Sequence, residues 1–277
     1  MKQDTLKIGI VQPYPVSRSH EELRNGGDVV HALEILETFE HQADVVCFPE
    51  LYPCAGEQQL SHKAKELGIY VIAGLIEKTQ KGCYNTATIF DRHGGIIGRQ
   101  RKKYPTLTEV ERYGILTGRD YQIFTIEGAR LGLVICADLP FFRDWEILLA
   151  QQADIIINLS RWFALSNAYP ATIISRHMEF GIPVIGLNWA KFSFPQWEQV
   201  PNGFPPAGGR STITVPPSVV NLNELAEWFR AKGGGIDSSE DFATVLGEKE
   251  ETFIVTIDIA AVRKFPGYFY NLPKTTP

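Results

Sequence analysis

An α/β protein is the fold class predicted by the 277-residue sequence, and three features predict it. Short runs rich in Val and Ile alternate with stretches of helical periodicity, the pattern of sheets covered by helices. Several runs, such as ADIIINLS (153–160) and IPVIGLN (182–188), hold continuous apolar stretches, as expected of strands buried on both faces. Other runs are joined by hairpin signals, so crossovers and hairpins mix and a purely doubly wound sheet is disfavoured.

The elements follow in order. LKIGIVQ (6–12) reads as the first strand, and 29–42 as a helix with Leu33, Leu36 and Phe39 on one face. ADVVCFPE (43–50) is a buried strand, 58–67 a second helix, and IYVIAGLIE, YNTATIFD and GGIIGRQRK three further strands. The DRHGG stretch between the last two supplies glycine for a tight turn. YQIFTI and ARLGLVIC form another hairpin around Glu127-Gly128. A helix over 145–151 precedes ADIIINLS, and one over 171–180 precedes IPVIGLN. Residues 216–242 break the pattern with PP, a charged helix over 222–232, GGG and DSSED; they read as a surface insertion before the final strand ETFIVTIDI. The tail at 260–277 reads as extended and aromatic. With no linker in the first 200 residues, one domain over 1–277 is expected.

Composition excludes several function classes. The formal net charge is −5, and the one basic cluster, Arg99-Gln100-Arg101-Lys102-Lys103, is too short for a nucleic-acid-binding tail. The four cysteines, at 47, 54, 83 and 136, form no CxxC pair and no zinc pattern. The N-terminus enters a strand without an apolar leader, and no run approaches the roughly 18 apolar residues of a membrane span. A cytoplasmic protein without membrane or nucleic-acid partners is expected.

Three apolar strands each end in one reactive group: Glu50 after VVCFP, Lys102 after GRQR, and Cys136 after LVI. Ligands bind α/β sheets at such carboxyl ends. A thiol is a strong nucleophile as thiolate, and a neighbouring carboxylate can take its proton and later return it to a leaving amine. A lysine can steady a developing oxyanion, with the backbone N–H of Ala137 as a second donor. The six histidines include none placed after a strand end as Glu50 is, which disfavours a Cys-His dyad.

The motifs KIGIVQ, ADVVCFPEL, YNTATIFDRHGGIIGRQRK, EVERYGILTG, RLGLVICAD, ADIIINLS, RHMEFGIPVIGLN and GGRSTI, with ETFIVTIDI, stand in an order and spacing that resembles the nitrilase superfamily of carbon–nitrogen hydrolases. The resemblance implies a four-layer α-β-β-α sandwich, no metal or organic cofactor, and homodimers or higher homo-oligomers in which the C-terminal segment reaches across; Phe265, Tyr268, Phe269 and Tyr270 would suit such contacts. It matches Cys136 to the nucleophile, Glu50 to the base and Lys102 to the family's lysine. Glu111, seven residues before Gly118, matches the second glutamate, with Glu109 its competitor. The count Gly98-Arg99-Gln100-Arg101-Lys102 fits the family's Gly-x-Tyr-Arg-Lys, although Gln100 replaces the tyrosine. Strand alternation then separates Lys102 from Lys103. Phe142-Arg143 departs from the usual Pro-Glu. Cys136-Ala137-Asp138 follows the Cys-x-Asp of amidase and carbamoylase branches rather than the Cys-Trp-Glu of nitrilases.

The resulting expectation is hydrolysis of an amide or N-carbamoyl bond of a small molecule through a thioester. The alternatives are nitrile hydrolysis by the same trio and a non-catalytic ligand-binding protein on the same scaffold. Arg161, with Trp162 and Phe163 just past a buried strand, reads either as a loop brace or as a binder of a substrate carboxylate beside an aromatic wall. Asp138 reads as a brace for the turn after Cys136.

Overall fold

The computed structural model describes residues 5–162, 168–192, 208–219, 221–231, 242–265 and 267. The first sheet holds β1 (Thr5–Gln12), β2 (Val45–Cys47), β3 (Pro53–Cys54), β4 (Tyr70–Thr79), β5 (Gly82–Phe90), β6 (Ile96–Arg101) and β13 (Glu251–Asp258). Its order is β13-β1-β2-β4-β5-β6, with β3 beside β4. The second sheet holds β7 (Ile123–Ile126), β8 (Ala129–Ile135), β9 (Ile155–Leu159), β10 (Val184–Leu187), β11 (Thr212–Thr214) and β12 (Ala243–Val245), in the order β12-β11-β10-β9-β8-β7.

Strand alternation makes the layers. Ile8, Ile10, Val45, Cys47, Ile72 and Ile89 point inward from the first sheet and meet Leu131, Leu133, Ile135, Ile157 and Ile185 from the second. The opposite face of the first sheet, with Val46, Val71 and Ala73, is covered by α2 (Val29–Glu37) and α3 (Glu57–Leu67) through Leu36 and Leu60. The opposite face of the second, with Val134, Ile156 and Val184, is covered by α5 (Phe142–Ala150) and α6 (Ala168–Phe180) through Trp145 and Ile173. These are the four layers that the resemblance implies. No described helix is long and apolar enough to cross a membrane.

Some elements escape sequence reading. α1 (His20–Arg24) and α4 (Leu107–Tyr113) are too short for periodicity to show. The 216–242 stretch places α7 (Leu222–Ala231) between the antiparallel neighbours β11 and β12, the latter also unforeseen. The tail is not extended throughout: α8 (Ile259–Lys264) opens it, because the Asp258 carboxylate accepts the Ala261 N–H at 2.8 Å and caps the turn. Tyr268, Phe269 and Tyr270 lie outside the described residues.

His177 on α6 is fully buried, with Nδ1 2.7 Å from the Ile182 carbonyl oxygen and its ring stacked on Phe242. Burial pushes its pKa down to about 4 from 6.5. The unfolded chain therefore takes up this proton before the folded one. The contribution to stability is complete above pH 6.5 and is lost as pH falls toward 4, at up to about 1.4 kcal/mol per pH unit. Tm is expected to fall more steeply between pH 6.5 and pH 4.5 in the wild type than in His177→Gln; parallel curves would exclude His177 as a source of acid sensitivity.

Candidate active site

Each reactive group is placed by the strand before it. β2 ends at Cys47, and the turn after it carries Glu50, which is 3% exposed. β4 passes so close beneath this turn that a side chain at Gly74 would collide with the Pro49 carbonyl and the Leu51 amide, which glycine avoids. The Trp189 indole donates to the Glu50 carbonyl at 2.7 Å and pins the backbone. Lys102 directly follows β6 and is 1% exposed. Cys136 directly follows β8, opens a short 3₁₀ turn, Cys136–Asp138, and has φ +45°. That left-handed conformation costs a non-glycine residue about 1–3 kcal/mol. Asp138 braces it, accepting from the N–H groups of Ile135 (3.3 Å), Lys103 (3.2 Å) and Tyr104 (2.8 Å). The nucleophile's turn is thereby tied to the segment that follows Lys102.

The charged groups converge in a buried network. Lys102 Nζ donates to Glu50 Oε1 and to Glu109 Oε2, both at 2.7 Å. Asn85 Nδ2 bridges the same two carboxylates, at 2.8 Å from Glu50 Oε1 and 2.7 Å from Glu109 Oε1. Arg161 joins the network to the thiol through its backbone. Its N–H donates to Glu50 Oε2 at 2.9 Å, and its carbonyl oxygen is 3.9 Å from Cys136 Sγ. Lys103 turns away to Asp144 and to the rings of Tyr104 and Tyr121.

The second carboxylate is Glu109, not Glu111. On α4, Glu109 is buried and faces Lys102, whereas Glu111 is exposed. Two residues rotate a helix by about 200°, so both cannot face the site. Thr106 sets the register: its hydroxyl accepts the Glu109 N–H at 3.3 Å, and Glu109 Oε2 accepts the Thr106 N–H at 2.7 Å, a capping box. The Thr-x-x-Glu spacing was the legible signal. Asn85 also left a trace, a side chain of low β-propensity inside a buried strand.

Electrostatics follow from burial. Burial pushes the Cys136 thiol up and the Glu50 carboxylate adds to it, against Lys102, so the thiol rests protonated. Burial alone would discharge Lys102; the carboxylates of Glu50 and Glu109 outweigh it and hold the ammonium charged. Burial opposes ionisation of Glu109 too, but Lys102 outweighs it and its pKa falls. Asp138 is pushed up to about 6 by burial, against its backbone donors.

The Arg161 guanidinium lies away from the thiol. It is buried, 3.1 Å from His20 Nε2 and 5.1 Å from the centre of the Trp189 ring. His20 is pushed down to about 3, by burial first and then by Arg161, Arg112 and Arg24, so it is neutral near pH 7. Trp162 is half-buried, its N–H on Asn188 Oδ1 at 2.9 Å and its ring on Tyr169. Phe163 lies outside the described residues. Beside this group opens a cavity of about 440 Å³, walled by His20, Arg24, Cys54, Ala55, Lys78 and Tyr113 among others. Among the described residues no cluster of three or more His, Cys, Asp or Glu side chains could hold a metal ion.

A buried Cys, Glu and Lys thus stand just past the ends of strands in two facing sheets. The carbon–nitrogen hydrolase family matches residues 7–266, and the chain belongs to it. It is 26% identical over 190 residues to a probable nitrilase of Schizosaccharomyces pombe, covering 58% of this chain and 69% of that protein. It is 32% identical over 120 residues to the human omega-amidase, covering 40% of this chain and 43% of that one. The chain thus spans about two thirds of the first and under half of the second. The fold also matches a mutant amidase from Nesterenkonia that carries the acetamide moiety of fluoroacetamide on its active-site cysteine. That match has a TM-score of 0.68 at 16% identity, over 93% of this chain and 92% of the other.

Proposed function

We propose that the chain hydrolyses an amide or N-carbamoyl bond of a small molecule, with Cys136 as nucleophile. The observation that carries this reading is the Glu50 carboxylate, held between the Lys102 ammonium and the Arg161 N–H and set beside the protonated Cys136 thiol. A resting thiol needs a base, and Glu50 takes its proton as sulfur attacks the carbonyl carbon. The oxyanion forms against the Lys102 ammonium and the Ala137 N–H. Glu50 returns the proton to the departing nitrogen, ammonia or amine leaves, and a thioester remains. Water, deprotonated by Glu50, then releases the acid and restores the thiol. Glu109 and Asn85 keep Lys102 and Glu50 in register. Arg161 serves the site through its backbone, and Trp162 forms a wall beside it. Cys136-Ala137-Asp138 favours amide and carbamoyl substrates over nitriles.

Short amides, ω-amides, N-carbamoyl amino acids and nitriles should be assayed for ammonia release, with intact-protein mass spectrometry to trap the thioester. Turnover of an amide or carbamoyl compound with an acyl adduct on Cys136 is expected. Turnover of nitriles alone would reassign the substrate class, and no release from any class would favour a ligand-binding protein.

A further inference from the structure

The turn that presents Glu50 is held in an unfavourable shape. Leu51 and Cys54, on either side of Tyr52, have φ of +54° and +73°, a left-handed backbone that neither side chain favours. Such a turn keeps its shape only where its surroundings fix it.

Tyr52 is placed to fix it. It stands just past Glu50 and is fully buried. Its ring packs 5.7 Å from Phe48 and meets Trp189 edge-on at 5.6 Å, and the Trp189 indole is the group that donates to the Glu50 carbonyl. The Tyr52 carbonyl accepts the Gly74 N–H at 3.0 Å. A phenylalanine would fill the same space, so packing does not account for the hydroxyl. A buried hydroxyl needs a partner, and this one stands 2.7 Å from His31 Nδ1 on α2. His31 Nε2 lies 3.4 Å from Glu250 Oε2, the oxygen that also accepts the Tyr14 N–H at 2.7 Å. With Glu250 on one side, the imidazole carries its proton on Nε2, and Nδ1 accepts from the hydroxyl. Burial first, then Asp28, Glu250 and Glu34, raise the pKa of Tyr52, so the hydroxyl keeps the proton it donates. A chain of polar contacts thus runs from Glu250, just before β13, through His31 to the Glu50 turn. None of its side chains joins the hydrogen bonds around Lys102.

We infer that Tyr52 is a positioning residue: its hydroxyl, held by His31, fixes the turn so that the Glu50 carboxylate stays on the Arg161 N–H and beside Cys136. The inference rests on the hydrolase reading for the role of Glu50. Loss of the hydroxyl leaves the packing in place but loosens the turn. A small displacement of a base slows proton transfer without weakening substrate binding.

Tyr52→Phe deletes one oxygen, and the Nδ1 atom it leaves belongs to a half-buried ring that water can reach, so the variant should fold. Its kcat on an amide should fall roughly 3- to 10-fold, with KM little changed. His31→Leu should match it. His31→Asn, whose Oδ1 can stand near the place of Nδ1, should recover most of the loss. The double variant Tyr52→Phe/His31→Leu should be no slower than either single variant, because both remove the same interaction. Iodoacetamide capture of Cys136, followed at that residue by peptide mass spectrometry, should slow in the same order, since Glu50 takes the thiol's proton there too. A purely structural hydroxyl would lower Tm and leave kcat and capture at wild-type values, and that result overturns the inference. Additive losses in the double variant, or His31→Asn no faster than His31→Leu, overturn it as well. Capture needs no substrate. A wild type that hydrolyses nothing, with capture slowed in Tyr52→Phe and restored in His31→Asn, would refute the hydrolase reading and leave the positioning of Glu50 intact.

Discussion

Cys136→Ala is expected to lower turnover of whichever amide the wild type hydrolyses by about 10⁴-fold or more, with Tm nearly unchanged. A nucleophile acts with its base as a unit, and loss of one member removes most of what the unit achieves. The substitution deletes one sulfur atom from a site that is 8% exposed. It also removes a group whose proton the surroundings hold tightly. Little stability should depend on it, because the left-handed backbone at this position is held by Asp138 rather than by the thiol. Cys136→Ser should be almost as inactive, since an alkoxide is harder to form than a thiolate beside the same carboxylate. Cys83→Ala is the control. It lies on β5, makes none of the hydrogen bonds that join Glu50, Lys102 and Glu109, and should retain wild-type rates. Steady-state ammonia release on the three proteins decides the matter, and wild-type turnover in Cys136→Ala would end the proposal.

The parts of this fold that sequence reading reaches are those where burial acts on every residue of a run. β9, with all of Ile155–Leu159 buried, admits no other reading than a covered strand. Hairpins are equally legible because their backbone demands are local: Glu127 and Gly128 both take positive φ, and the Glu-Gly pair signals it. Legibility fails where one turn of helix or one backbone group decides. Counting back from Gly118 points to Glu111, yet the helix begins where Thr106 caps it, and that start alone sets which carboxylate faces inward. Arg161 drew notice for its guanidinium, while its contribution to the network is its N–H and carbonyl. Side-chain identity carries no information about which backbone groups converge on a site. That depends on how two sheets, distant in sequence, are stacked.

Lys102→Met is expected to reduce turnover by at least about 10³-fold and to lower Tm, whereas Lys103→Met should leave turnover much closer to wild type. The lysine holds two carboxylates at 2.7 Å in a nearly solvent-free setting. Removing the ammonium leaves Glu50 and Glu109 facing each other across Asn85, an uncompensated buried charge that costs about 3–5 kcal/mol. One or both carboxylates then take up a proton, and a protonated Glu50 cannot accept the thiol's. Lys103 meets the buried Asp144 and two tyrosine rings, so its loss should also lower Tm, but it leaves the contacts of Glu50 and Glu109 intact. Glu109→Gln and Glu111→Gln give the matching comparison on α4. Glu109→Gln keeps the shape but loses the charge that helps anchor Lys102, and kcat should fall by about 10- to 100-fold with KM little changed. Glu111→Gln, on the exposed face, should leave both constants near wild type. Circular dichroism melts alongside kcat separate the two contributions. A normal Glu109→Gln enzyme with an inactive Glu111→Gln would mean that the register of α4 is wrong by two residues. A dead Lys103→Met beside an active Lys102→Met would place the error in β6 instead.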